Sequence, residues 1–233
     1  MCIRDRFMSS DDKIKKLLSK LVFKSKLYLY LLKQKVFFKY IEALSLFMKK
    51  QIVIFISGKG SNALNIINYF SETENLTVSH VYSNNKTSPF FNHKLNSNIK
   101  VSYFQNDDLN TKVFEELKHI KPDLIILAGF LKKIPISYLD YFKKTVINIH
   151  PSLLPKYGGK GMYGSRIHDK VIENNEKETG ITIHYVSEQY DSGEIIFQRK
   201  IGVDDNDTAK TIEQKIHKLE HKYLPKIIES ILI

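Results

Sequence analysis

Val146-Ile147-Asn148-Ile149-His150-Pro151-Ser152-Leu153-Leu154-Pro155 begins as an apolar, β-branched run and stops on two prolines. The run from Thr145 to Ile149 predicts a buried β-strand. Proline cannot donate a ladder hydrogen bond, so the strand must end near His150. Asn148 and His150 then lie two residues apart on the same side of the pleat, at the strand's carboxyl end. In open α/β sheets that end is where ligands bind. An amide donor and an imidazole aimed at one point suit a developing oxyanion. Taken alone, an Asn-x-His pair beside a strand end is more often a loop cap than a catalytic pair, so its weight depends on the rest of the chain.

Upstream, Asp123 to Ala128 reads as another buried strand, running into Gly129-Phe130-Leu131-Lys132-Lys133-Ile134-Pro135. Before it, Ile52 to Ile56 is a continuous apolar run, the mark of a parallel strand covered on both faces. It leads through Ser57-Gly58-Lys59-Gly60-Ser61-Asn62 into a helix from Ala63 to Phe70. Glycines between strand and helix let backbone approach an anion, and Ser61 and Asn62 can cap a helix whose dipole favours phosphate. The spacing matches neither a Walker loop nor the three-glycine dinucleotide fingerprint, leaving a phosphate site or a tight turn as equal readings. Strands at Leu76–Tyr82 and Ile99–Phe104 and a helix at Asn110–Ile120 fill the interval. Downstream come a glycine-rich loop, Tyr157 to Gly164, suited to folding over a ligand, and a helix at Ser165–Asn174. An alternating strand from Thr182 to Val186 turns through Ser187-Glu188-Gln189-Tyr190-Asp191-Ser192-Gly193 into Glu194–Ile201. A long amphipathic helix from Asp207 to Leu232, with Pro225 as a kink or break, closes the chain. This alternation predicts an α/β fold: a single doubly wound, mostly parallel sheet with helices on both faces.

The 233 residues carry a net charge of +11 and one cysteine, Cys2. Residues 1–47 hold 11 Lys/Arg against 4 Asp/Glu, leaving 25 against 21 for the remainder. The basic excess therefore sits mostly in the first segment and is poor support for nucleic-acid binding by the rest. A single cysteine excludes an internal disulfide and fits a reducing, cytoplasmic setting. No Cys/His cluster has metal-ligand spacing, so no metal is expected. Residues 1–47 lack Gly and Pro and read as a basic amphipathic helix, with no apolar span near the ~20 residues a membrane helix needs. Met48-Lys49-Lys50-Gln51 before an apolar strand is a usual start for an α/β protein. The expectation is that 1–47 is a leader of upstream read-through and that 48–233 is the catalytic domain.

Gly58-Lys59-Gly60-Ser61-Asn62, Ala128-Gly129-Phe130, Asn148 to Pro155 and Asp191-Ser192-Gly193 occur in order at fitting separations across residues 48–233. Together they resemble the folate-dependent glycinamide ribonucleotide formyltransferase family, within the wider folate formyltransferase superfamily. The resemblance implies formyl transfer from 10-formyltetrahydrofolate to the amine of 5'-phosphoribosylglycinamide in purine biosynthesis. Asn148, His150 and Asp191 would be the catalytic trio, and Gly60, Ser61 and Asn62 would hold the substrate phosphate. Glu220 would contact the ribonucleotide, with His217 and Lys218 in the same segment. Leu131, Lys132, Lys133 and Ile134, together with Ser187, Glu188, Gln189, Tyr190, Asp191 and Asn148, would line the folate pocket. The implied partners are these two small molecules alone, with no nucleic acid or membrane, in a monomer or homodimer. A formyltetrahydrofolate hydrolase or another folate formyltransferase is the alternative, but neither needs the Gly60-Ser61-Asn62 loop.

Some positions depart from that pattern. The loop after Pro155 is longer than in the shortest relatives, and a ligand-contacting arginine has only Lys112 as a candidate counterpart. His184, on the strand beside the site, reads either as a support for it or as a satisfied core histidine. A tight turn presenting His150 predicts a cis bond between Leu154 and Pro155.

Overall fold

Apolar side chains at every position from Ile52 to Ile56 make strand β1 (Lys50–Ile56) buried on both faces. Side chains alternate along a strand, so such a run needs cover on both sides. Ile52, Ile54 and Ile56 enter one core cluster, while Val53 and Phe55 stack into the other. The computed structural model describes residues 49–233 and, before them, only residues 15, 18–21, 23, 26, 30 and 33–35. The chain falls into two units, Met1–Met48 and Lys49–Ile233. The expected basic leader as a whole lies outside the described residues. Among the described residues no helix is long and apolar enough to cross a membrane.

The second unit is built on one seven-stranded sheet. β2 (Leu76–Ser83), β3 (Lys100–Tyr103), β4 (Leu124–Leu127) and β5 (Val146–His150) join β1 in a parallel array. β6 (Glu178–Tyr185) and β7 (Ile195–Gly202) extend it antiparallel, giving the order β3-β2-β1-β4-β5-β6-β7. The chain runs outward from β1 to β3 and returns to β4, so the carboxyl ends of β1 and β4 form the switch point where a crevice opens. Helices α1 (Ser61–Tyr69) and α5 (Ala209–Leu232) bury Ala63, Ile66, Ile212, Ile216, Leu224 and Ile228 on one face. On the other, α2 (Lys112–Ile120) and α3 (Ile136–Phe142) bury Val113, Leu117, Tyr138 and Phe142. α4 (Ser165–Glu173) packs beside α5. The expected class, a doubly wound and mostly parallel sheet, is the one found.

Three elements differ from expectation. β6 starts at Glu178, four residues before the alternating run, because Glu178, Thr179 and Gly180 pair with Gly202, Ile201 and Lys200 of β7. The segment before α2 is a separate 3-10 turn, Asn106–Asn110, closed by reciprocal bonds between Gln105 and Asp108. α5 neither ends nor restarts at Pro225. Proline there lacks the N–H that would bond the His221 carbonyl four residues back. The Asn65 side-chain amide of α1 donates to that freed carbonyl at 2.8 Å, which lets the helix continue.

Candidate active site

The turn after β5 is fixed from beneath. Thr182 Oγ1 donates to the Ser152 carbonyl at 2.7 Å and accepts from the Leu154 N–H at 3.0 Å. Gln198 Nε2 donates to the Leu154 carbonyl at 2.9 Å. The Leu154–Pro155 bond is cis, as expected. Asn148 and His150 thus stand on a strand held between β4 and β6, where Asn148 is opposite His184.

Hydrogen bonds fix how these groups face one another. A carbonyl only accepts, so His150 Nε2–H donates to the Tyr157 carbonyl at 2.8 Å, leaving Nδ1 3.6 Å from Asp191 Oδ1. That separation is ion-pair range and longer than a hydrogen bond. His184 Nδ1–H donates to the Tyr185 carbonyl at 2.9 Å, so its Nε2 accepts from Asn148 Nδ2 at 3.1 Å. Burial pushes the His184 imidazole below its ordinary pKa, which keeps it neutral and able to accept. His184 is therefore both a satisfied core residue and a support for Asn148. The same Nδ2 lies 3.4 Å from Asp191 Oδ1, and the Gly159 N–H donates to Asp191 Oδ2 at 2.9 Å. Asp191 takes a left-handed φ of 53°, which short polar side chains tolerate. Gly193 is required because a Cβ there would collide with the Tyr185 carbonyl.

The loop after β1 faces the same space. Gly60 has a φ of 72° and caps α1 through its backbone, and a Cβ there would strike the Phe90 ring. Ser61 and Asn62 do not cap the helix, contrary to expectation. Their side chains cross to α5, with Ser61 Oγ 2.7 Å from His217 Nε2 and Asn62 Nδ2 donating to Glu220 Oε2 at 2.9 Å. The first-turn N–H groups of α1 are left without a side-chain cap and attract an anion. Burial pushes the Glu220 carboxyl up to about 7, only partly opposed by the Asn62 bond. A cavity of about 800 Å³ joins Gly58, Lys59, Ser61, Asn62, His217 and Glu220 to Asn148, His150 and Asp191.

The formyl transferase family profile matches residues 50–228. The chain belongs to that family. A curated phosphoribosylglycinamide formyltransferase of Arabidopsis thaliana is 34% identical over 191 residues, covering 78% of this chain and 65% of the relative. One from Bacillus subtilis is 41% identical over 131 residues, 56% of this chain and 65% of the relative. This formyl transferase thus spans less than two thirds of the length of these curated relatives. The crystal structure of the Bacillus halodurans phosphoribosylglycinamide formyltransferase superposes with a TM-score of 0.70 at 29% identity, covering 78% of this chain and 95% of that one. Glycinamide ribonucleotide transformylase 1 of Geobacillus kaustophilus gives 0.72 at 26% identity, covering 79% and 100%.

Most residues singled out in the sequence of this formyl transferase meet around the cavity. Leu131 lines it, and a side pocket of about 60 Å³ collects Lys132, Lys133, Ile134, Ser187, Gln189, Tyr190, Asp191 and Asn148. Gly60 is buried behind the loop it shapes. Lys218 is not brought in: it is exposed, one residue out of phase with His217 and Glu220, and does not line the cavity. Glu188 turns away to a groove beside Ile136 and Lys143. Lys112 is exposed and lines neither cavity. Sequence reading gave no site role to Lys59, Phe130, Lys160 or His168, all of which line the large cavity. Lys59 carries a usable signal, a lysine between two loop glycines. Among the described residues no group of three His, Cys, Asp or Glu could hold a metal ion.

Proposed function

We propose that this formyl transferase moves the formyl group of 10-formyltetrahydrofolate to the amine of 5'-phosphoribosylglycinamide. The observation that carries the reading is the convergence of Asn148, His150 and Asp191 at one wall of a cavity whose other end is the uncapped start of α1. Ser61 and Asn62, with the first N–H groups of α1, receive the phosphate; Glu220 and His217 receive the ribonucleotide beside it. The side pocket and Leu131 receive the pterin end of the folate. The amine attacks the formyl carbon, and the carbonyl oxygen becomes an oxyanion. Asn148 Nδ2 donates to that oxygen, and protonated His150 adds its Nδ1–H, the nitrogen left free by the Tyr157 bond. Asp191 supports the imidazolium by its charge and moves the proton from the attacking amine toward the leaving folate nitrogen through water. No covalent enzyme intermediate is needed. Residues 48–233 form the catalytic unit, working in the cytoplasm on small molecules as a monomer or homodimer.

The test is formyl transfer followed by folate absorbance, with both substrates, on the full chain and on residues 48–233. Turnover that requires the ribonucleotide, and that His150→Ala and Asp191→Asn abolish, is the expected result. Deformylation of the folate without ribonucleotide would assign the site to a hydrolase instead.

A further inference from the structure

His168 lies on α4 and is 3% exposed, yet it lines the large cavity with Gly161, Gly164, Glu213 and His217. Its Nδ1 is sealed from solvent and has no hydrogen-bond partner. Buried polar atoms are nearly always paired, so an orphan in a cavity wall calls for a reason. An unpaired buried N–H costs more than an unpaired lone pair, which places the ring proton on Nε2. Nε2 is not sealed, has no protein partner among the described residues, and so presents its N–H to the cavity. The charged groups facing the ring are Asp169 on its own helix, Glu213 on α5 and His150 on β5. Burial outweighs both carboxylates and holds the ring neutral. A neutral donor adds no charge to a phosphate site, and the groups that act on His168 from other elements are Glu213 and His150, not the start of α1.

We propose that His168 is a further substrate-contacting residue, its Nε2–H donating to the amide carbonyl of the ribonucleotide, between the sugar and the attacking amine. This rests on the reading of the site given above. His168 lines the cavity with His217 and Glu220 of α5, and both Glu213 of α5 and His150 act on it electrostatically, so it adjoins the span the glycinamide amide would cover. The contact distinguishes a glycinamide from a bare ribosylamine, because the latter has no amide carbonyl at that place.

The full chain is tested as His168→Leu, which removes the donor at similar volume, and as His168→Gln, which restores one. His168→Leu is expected to raise KM for the ribonucleotide about tenfold, with KM for the formyl-folate and inhibition by inorganic phosphate unchanged, and His168→Gln to recover most of the loss. A ribonucleotide KM within twofold of wild type, or equal movement of all three constants, overturns the proposal. If His168→Leu does not fold, wild-type protein labelled with ¹⁵N-histidine is titrated with ribonucleotide alone. A shift of the His168 Nε2 resonance supports the contact, and no shift at saturation overturns it. Absence of formyl transfer by the wild type would remove the proposed function, whereas the titration would still decide His168.

Discussion

Asn148 Nδ2 is held before any ligand arrives by His184 Nε2 at 3.1 Å, while Asp191 Oδ1 at 3.4 Å lies beyond the usual hydrogen-bond length, which leaves the second amide N–H for the oxyanion. A donor held in place stabilises an oxyanion without reorganising during the reaction. Asn148→Ala is therefore expected to lower kcat by about 10²–10³, read by single-turnover formyl transfer, while KM for either substrate changes little. Glu220 makes a second prediction at this scale. Its folded pKa is raised from 4.5 to about 7 by burial. The folded state holds that proton more tightly than the unfolded chain does. The associated stability is present in full below about pH 4.5 and is lost as pH rises through about 7, on the order of 3 kcal/mol. Glu220→Gln should accordingly raise Tm at pH 8 and leave it nearly unchanged at pH 4.5. An equal change in calorimetric Tm at both pH values would show that the buried charge is not the cause.

Pro225 and Asn65 form a compensated pair between α5 and α1. Asn65→Leu leaves the His221 carbonyl unpaired and should cost about 1–3 kcal/mol in urea unfolding. Adding Pro225→Ala returns an N–H to that carbonyl, so the double variant should recover much of the loss; additive losses would refute the pairing. The loop after β5 is anchored similarly. Tyr157 OH donates to Glu176 at 2.8 Å and accepts from Asn174 Nδ2 at 2.7 Å, while the Tyr157 carbonyl takes the His150 proton. Tyr157→Phe is expected to lower kcat about tenfold through misplacement of His150, with KM nearly constant. Sequence made the buried strands legible, because runs such as Ile52–Ile56 have one reading by length and branching. It misread the start of α1, since Gly60 caps with backbone and has no side chain to announce it. It missed the start of β6, whose Glu178-Thr179-Gly180 has no apolar period. Local sequence placed Asn148 and His150 at a strand end through the stop at proline, but their assignment with Asp191 as a trio came from the family resemblance; the left-handed Asp191 and the glycine against Tyr185 emerge only in the structure. His168 gave no signal, because its role depends on where α4 lies against α5.

Asn148, His150 and His184 gather where the parallel strands meet the antiparallel edge, at β5 and β6. All of this lies in the Lys49–Ile233 unit, with its own two core clusters on the two faces of the sheet. A chain starting at Met48 should therefore match the full chain in turnover and in the Tm of the Lys49–Ile233 unit, by enzyme assay and calorimetry. A large loss in either would assign residues 1–47 a part in the fold or the reaction. The bridges from α1 to α5 reach furthest: Tyr69 meets Glu229 across 160 residues of chain, Asn62 meets Glu220 across 158 and Ser61 meets His217 across 156. On the ribosome, the loop after β1 is among the first parts of this unit to emerge and α5 the last. A nascent chain halted before Ala209 leaves Ser61 and Asn62 without their partners. The contacts that tie the loop after β1 to α5 therefore form only once both ends of this unit have been made.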